Sequence, residues 1–197
     1  LGDKKDGFGM LRAPDGSCVE GEFKNDRLEG RGKIFYANGD IYEGQFKNFR
    51  TYGYGVHTSP HGLHYVGQVK KDMRDGYGIL TYSDGSRYEG NFKKHQRCGE
   101  GEFWDIDGSK YVGDWVDDEQ TGKGMCIWSD GTRYKGEWLK GNKHGYGKFT
   151  FEDGSWFEGP WADDEMNGKG KFGNPDGSVD LVLGKGDRYR LLREDEK

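Results

Sequence analysis

The sequence predicts an all-β fold, an elongated, twisted, single-layer antiparallel sheet laid down as a meander of hairpins, and three observations carry that expectation. Tyr88-Glu89-Gly90-Asn91-Phe92, followed by Gly99-Glu100-Gly101 and Asp107-Gly108-Ser109, recurs every 23 residues. Four glycine columns share that interval, one of them running Gly21, Gly44, Gly67, Gly90, Gly113, Gly136, Gly159, and together they hold 31 of the 36 glycines. Within each unit apolar and polar residues alternate, as they do in half-buried strands. A fixed period of this length marks one tandem array.

Each unit reads aromatic-x-Gly-x-aromatic, six residues of polar turn, Gly-x-Gly-x-apolar-x-aromatic, then Asp-Gly or Asn-Gly. That is one hairpin and the connection to the next. Asn38-Gly39 and Asp84-Gly85 offer the positive φ angles of a tight strand-to-strand turn.

On these residues the chain resembles the MORN repeat family, whose signature appears as Tyr42-Glu43-Gly44-Gln45-Phe46 with Gly53-Tyr54-Gly55. The resemblance covers residues 7 to 178. It departs where Val69 replaces the second aromatic, where Val66, Val112 and Lys135 replace the Glu, where His61 replaces a turn Asp or Asn, and where Asp180-Leu181-Val182 replaces a final Tyr-Glu-Gly. The resemblance implies a non-catalytic scaffold, most like the long cytoskeletal MORN proteins of protist parasites at membrane-associated collars. Some relatives carry these repeats beside a lysine methyltransferase or phosphoinositide kinase domain, but the residues in hand are repeats alone.

Composition agrees with a thin sheet. Hydrophobic residues make up only 31% while aromatics reach 15%, so burial rests on Tyr, Phe and Trp. A net charge of −5 gives no general case for nucleic acid. No apolar run approaches the roughly 18 residues of a membrane span. Cys18, Cys98 and Cys126 are too few and scattered for a disulfide framework, which suits a reducing, intracellular compartment.

In chain order, residues 1–18 form a partial N-terminal repeat, 19–178 seven tandem repeats, and 179–197 an atypical capping hairpin with a charged tail. Because Leu1 falls inside a repeat, further copies are expected upstream. Alternation places Tyr42, Phe46, Tyr65, Tyr88, Phe92, Tyr111, Trp115, Tyr134, Trp138, Phe157 and Trp161 on one aromatic face, where rings shield neighbouring glycines. Nothing else in the sequence covers that face, so it is expected to stay partly open. It would then be a partner-binding groove on the order of 70–80 Å long, suited to an extended or helical protein partner. The alternative is that these rings are simply the core.

After Ser178, aliphatics replace aromatics: Val179, Leu181, Leu183, Tyr189 and Leu191 read as a cap, or as the contact of a homodimer. Lys70, Lys71, Arg74, Lys93, Lys94 and Arg97 fall in equivalent hairpin loops as a basic rim, and Asp117-Asp118-Glu119 and Asp163-Asp164-Glu165 make the rim acidic farther on, which suits anionic lipid headgroups at the basic part or an antiparallel self-association that sets basic loops against acidic ones.

No catalytic constellation is present and no cofactor is required. His57, His61 and His64 do not converge by parity. His95 and Cys98 share a loop at a spacing that suits zinc; a second copy of the pair would complete a four-ligand structural site between two chains, and a solvent-facing loop is the other reading. Phe35, Trp104, Ile127 and Trp156 point to the otherwise polar face, where Trp104 and Ile127 suggest a second contact patch.

Overall fold

A computed structural model describes residues 4–196, and the beginning of the partial repeat at Leu1 and the last tail residue lie outside the described residues. Two compact units divide the chain at residues 96 and 97. The first carries β1 (Gly7–Arg12), β2 (Cys18–Lys24), β3 (Arg27–Phe35), β4 (Ile41–Lys47), β5 (Arg50–Thr58), β6 (His64–Lys70), β7 (Met73–Thr81) and β8 (Arg87–Lys93). The second carries β9 (Gln96–Trp104), β10 (Lys110–Val116), β11 (Glu119–Ile127), β12 (Arg133–Leu139), β13 (Asn142–Thr150), β14 (Trp156–Ala162), β15 (Glu165–Gly173), β16 (Val179–Gly186) and β17 (Arg188–Leu191), then a single turn of 3₁₀ helix at Glu194–Glu196. In each unit consecutive strands pair antiparallel, an open single-layer meander.

The two connections of a repeat are the reverse of what the sequence suggests. The expected six-residue loop closes instead on two residues: Asn25-Asp26, Asn48-Phe49, Lys71-Asp72, Lys94-His95, Asp117-Asp118 and Asp163-Asp164 all have positive φ, the pattern of type I′ hairpins. Non-glycine residues in that region cost about 1–2 kcal/mol each. The tips are held there by the preceding hairpin. Asp72 donates its N–H to the Thr51 carbonyl and receives the Thr51 N–H on Oδ1 at 2.8 Å. The same exchange links Asp26 with Lys5, Asp118 with Arg97 and Asp164 with Lys143.

At the Asp-Gly connection only the glycine turns left-handed. Gly85 has φ +96° and donates to Tyr82 O, while Asp84 Oδ1 receives both the N–H and the hydroxyl of Ser86 at 2.8 and 2.7 Å. The result is a three-residue loop with a bulge, the commonest hairpin after the two-residue one.

The two-residue hairpins β2–β3, β4–β5, β6–β7, β10–β11, β12–β13 and β14–β15 each carry a bulge that parity counting does not show. Between β4 and β5 the register runs Gly44 to Gly55 and then jumps to Gln45 opposite Tyr52, leaving Gly53 and Tyr54 over. Gly53 has φ +72°, and Gln45 Oε1 takes the freed Tyr54 N–H at 3.3 Å. Bulges of this kind increase local right-handed twist.

On the inner side of that twist lies the core. Tyr42 lies across Gly44 and Gly55; a Cβ on Gly55 would stand 2.2 Å from its hydroxyl. The hydroxyl of each repeat tyrosine points to the backbone carbonyl three residues on, from Tyr65 to Gln68 at 2.6 Å and from Tyr111 to Asp114 at 3.1 Å. Edge-on contacts then chain the rings: Tyr65 and Tyr88 both meet Phe92, while Tyr111 meets Trp115 and Trp138, and Tyr134 meets Trp138 and Trp161, with centroids 5.1–5.5 Å apart. Such pairs add about 0.5–1.5 kcal/mol beyond burial.

Gly55→Ala is therefore expected to cost about 2–3 kcal/mol by overpacking. Gly16→Ala, with φ +91° but open space around the added methyl, should cost only about 1 kcal/mol. Urea midpoints read both, and equal losses would count against the ring-on-glycine contact as the source of stability.

Candidate protein-binding surface

The ring face is enclosed, which corrects the expectation of an open aromatic groove. Tyr42, Phe46, Tyr65, Tyr88, Phe92, Tyr111, Trp115, Tyr134, Trp138, Phe157 and Trp161 are all buried, none more than 6% exposed. Two causes close it. The bulges curl each sheet so that successive rings stack edge to face, and long side chains beginning each second strand lie over them. Arg74 sits above Tyr65 and Phe92 at 5.8 and 5.4 Å, Arg97 above Trp115 at 4.2 Å, and Lys143 above Trp161, Phe149 and Trp128 at 4.9–5.7 Å. At the same position Leu28, Thr51 and Met166 are themselves buried.

The chemistry under this cover is that of an interior. Desolvation lowers the Lys143 ammonium pKa, opposed by Asp164 at 3.9 Å, and pushes the Cys126 thiol up to about 11. Burial likewise raises the Tyr65 phenol to about 12. The Trp115 and Trp161 indoles donate to the Gly101 and Gly147 carbonyls at 3.3 and 3.1 Å.

Arg74 and Arg97 thus leave the basic rim, Arg97 also pairing its Nε with Asp118 Oδ1 at 3.2 Å. Lys70, Lys71, Lys93 and Lys94 remain exposed at two neighbouring hairpin tips. His95 accepts the Arg74 N–H on Nδ1 at 3.4 Å, which leaves Nε2 as its nitrogen for any ligand, and Cys98 is half-buried. His57 pairs with Asp40 at 3.1 Å, while His61 and His64 are exposed. Among the described residues no group of three or more His, Cys, Asp or Glu is placed to hold a metal.

The five C-terminal residues do not form one patch. Val179, Leu181 and Leu183 lie on the outer face; Tyr189 and Leu191, opposite Gly184 and Val182, lie on the ring face, where Tyr189 stacks on Phe172 at 4.1 Å. Val182 is the buried residue of this hairpin. Arg190 then donates from both terminal guanidinium nitrogens to the two Glu196 carboxylate oxygens and lowers that carboxyl to about 2.

What remains accessible is the outer face, floored by glycine. Its cross-strand rows are in register. In the first unit Glu43 faces Val56, Val56 faces Val66, Val66 faces Ile79 and Ile79 faces Glu89. Tyr54 and Tyr77, the middle residues of Gly-x-Gly, stand beside this row 56% and 50% exposed. Toward β2 and β3 the face opens into a groove of about 920 Å³ that includes Tyr54, Val56 and Lys33, the last paired with Glu43 at 3.2 Å. The second unit has a groove of about 800 Å³ between Val112 and Glu158. The outward aromatics are partly covered: Lys33 lies over Phe35, Lys110 over Trp104 and Lys148 over Trp156, while Ile127 is exposed. The departures Val66, Val112 and Lys135 were the sequence signal for these rows. The registers were needed to see them as rows.

A sequence profile described as the MORN repeat matches residues 1–18, 20–41, 65–87, 88–110, 111–133, 134–156 and 157–179. Residues 42–64 fall outside the match yet contribute the same strand, bulge and two-residue tip. No curated protein sequence matches the chain. Among solved structures, the SAS-4 (dCPAP) TCP domain of Drosophila melanogaster, in complex with a proline-rich motif of Ana2 (dSTIL), superposes with a TM-score of 0.51 at 10% identity, covering 92% of this chain and 95% of that one. The TCP10 domain of Danio rerio CPAP, in complex with a STIL peptide, gives 0.38 at 15% identity, covering 95% and 96%.

Proposed function

From a chain that belongs to the MORN repeat family and seals its own aromatic face, we propose a protein-binding scaffold whose partner lies on the opposite, glycine-floored face. The observation that carries this is the Val56, Val66, Ile79 row with Tyr54 and Tyr77 exposed beside it. Apolar side chains concentrated on an otherwise polar face mark interaction sites, and exposed tyrosines supply rigid contact area. An aromatic-lined groove without helices of its own suits an extended segment, with proline-rich chains the least costly to order. The fly domain of like fold, solved with a proline-rich motif, supports that choice. Fluorescence anisotropy with proline-rich and other extended peptides is expected to find a binder that weakens at least tenfold in Tyr54→Ser/Tyr77→Ser at unchanged melting temperature. Binding indifferent to those two residues, or absent for every peptide, would remove the proposal.

Self-assembly belongs to the same reading and rests on the exposed Val179 and Leu181, which share the outer face. Val179→Glu/Leu181→Glu changes the outer face and spares buried Val182, and light scattering should show a dimer become a monomer. A mass that does not change between the two proteins argues against a contact there.

A second reading, recruitment to anionic membrane in a cytoskeletal structure at its periphery, is favoured by four exposed lysines at adjacent tips, Lys70, Lys71, Lys93 and Lys94. Near an anionic surface each basic residue contributes about 1 kcal/mol. Reversing all four to Glu should abolish co-sedimentation with phosphoinositide vesicles at physiological salt, and retained co-sedimentation would refute this reading. No helix among the described residues is long and apolar enough to cross a membrane.

A further inference from the structure

The outer-face row of the second unit differs from that of the first in a way that names a partner. Crossing from β10 to β15, Val112 faces Met125, Met125 faces Lys135, Lys135 faces Lys148, Lys148 faces Glu158 and Glu158 faces Lys171. Two lysines stand directly opposite one another on adjacent strands. Like charges so placed are unfavourable, and elsewhere on this face opposed lysines meet carboxylates, as Lys33 meets Glu43 at 3.2 Å and Lys110 meets Glu102 at 2.7 Å, the latter one step off direct opposition. Neither Lys135 nor Lys148 has an ion-pair partner within 4.0 Å among the described residues; Lys148 lies instead over the Trp156 ring at 3.7 Å.

These two lysines line a groove of about 800 Å³ with Lys123 and Arg133, four cations against the carboxylates of Glu137 and Glu158, above a floor of Val112, Met125 and glycine. The Glu137 carboxylate accepts the Tyr146 N–H at 3.2 Å, so it is turned to the bulge. In a chain whose net charge is −5, this is a local positive site.

We propose that this groove holds an extended acidic peptide bearing apolar side chains, its carboxylates on Lys135 and Lys148 and its apolar residues on Val112 and Met125. The inference rests on the protein-binding reading and adds the partner's charge and register. From β10 to β14 there are four strand spacings of about 4.8 Å, which an extended segment spans in about six residues at roughly 3.3 Å each. Glu158 interrupts the row where a continuous phosphate backbone would run.

The test is anisotropy with a labelled eight-residue peptide alternating Glu and Leu, its Gln-for-Glu counterpart, a single-stranded oligonucleotide and phosphatidylserine vesicles, each against the full chain. The Glu peptide is expected to bind at least tenfold more tightly than the Gln peptide and to weaken as salt rises. Lys135→Glu places opposite charges at an exposed site and so keeps the fold, with a melting temperature equal to or above the parent's, while peptide affinity drops at least tenfold. Lys148→Gln, which removes the charge without setting a second carboxylate opposite Glu158, should weaken the peptide likewise. Equal binding of the Glu and Gln peptides, unchanged affinity in both variants, or preference for the oligonucleotide or the vesicles overturns the proposal. If a neutral proline-rich peptide still binds through Tyr54 and Tyr77, the scaffold reading survives that result; if no peptide binds, both fall.

Discussion

The whole architecture depends on one contact, a tyrosine ring lying flat over two glycines that face each other across a hairpin. Tyr42 over Gly44 and Gly55 shows its terms. The ring can descend only because neither glycine carries a Cβ, and its hydroxyl points at the backbone carbonyl three residues on, at 3.5 Å in this repeat and 2.6–3.1 Å in the next three. The bulge exists because Gly53 accepts φ +72° and Gln45 takes the displaced N–H. Ring, glycines, bulge and acceptor therefore form one unit. Removing any of them leaves a void, an overlap or a buried polar group without its partner.

Repeated at 23-residue intervals, this contact explains how a chain only 31% hydrophobic encloses a core without helices. Each bulge adds twist, each increment of twist brings the next ring edge-on, and the side chains of Arg74, Arg97 and Lys143 supply apolar stems above while their charged ends face the π-systems. Lys143 shows the limit of that device, since desolvation lowers its pKa even with Asp164 nearby. A face closed in this way has nothing left to offer a partner. The consequence is that binding moves to the side where residue identity is not fixed by packing.

Much of this was legible in the sequence, and what escaped was non-local. Period, strands, alternation of faces and the pairing of tyrosine with glycine all follow from neighbours within one repeat. The left-handed Lys94-His95 tip does not. Its conformation depends on Arg74 in the previous hairpin, twenty-one residues earlier, just as Asp72 depends on Thr51. Closure of the aromatic face escaped for a related reason: alternation tells which residues share a face but not how far the sheet curls. Arg74 and Arg97 read as rim charges because residue type says nothing about where a long stem lies. Lys135 was visible as a departure from the family pattern, and its opposition to Lys148 appeared only with the register between β12 and β13.

Comparing columns within this single chain separates structure from recognition. Below the rings the glycine columns do not vary. On the outer face, the position after the repeat tyrosine runs Glu20, Glu43, Val66, Glu89, Val112, Lys135, Glu158, and the middle of Gly-x-Gly runs Arg31, Tyr54, Tyr77, Glu100, Lys123, Tyr146, Lys169. A side chain there has no ring to clear and no bulge to satisfy, so its identity costs the fold little. Directly opposed lysines cost it something, on the order of 0.2–1 kcal/mol. An arrangement the fold does not need and slightly disfavours is best understood as serving a ligand of opposite charge, and that makes the outer face of the second unit, rather than the row of rings, the place where this chain discriminates among partners.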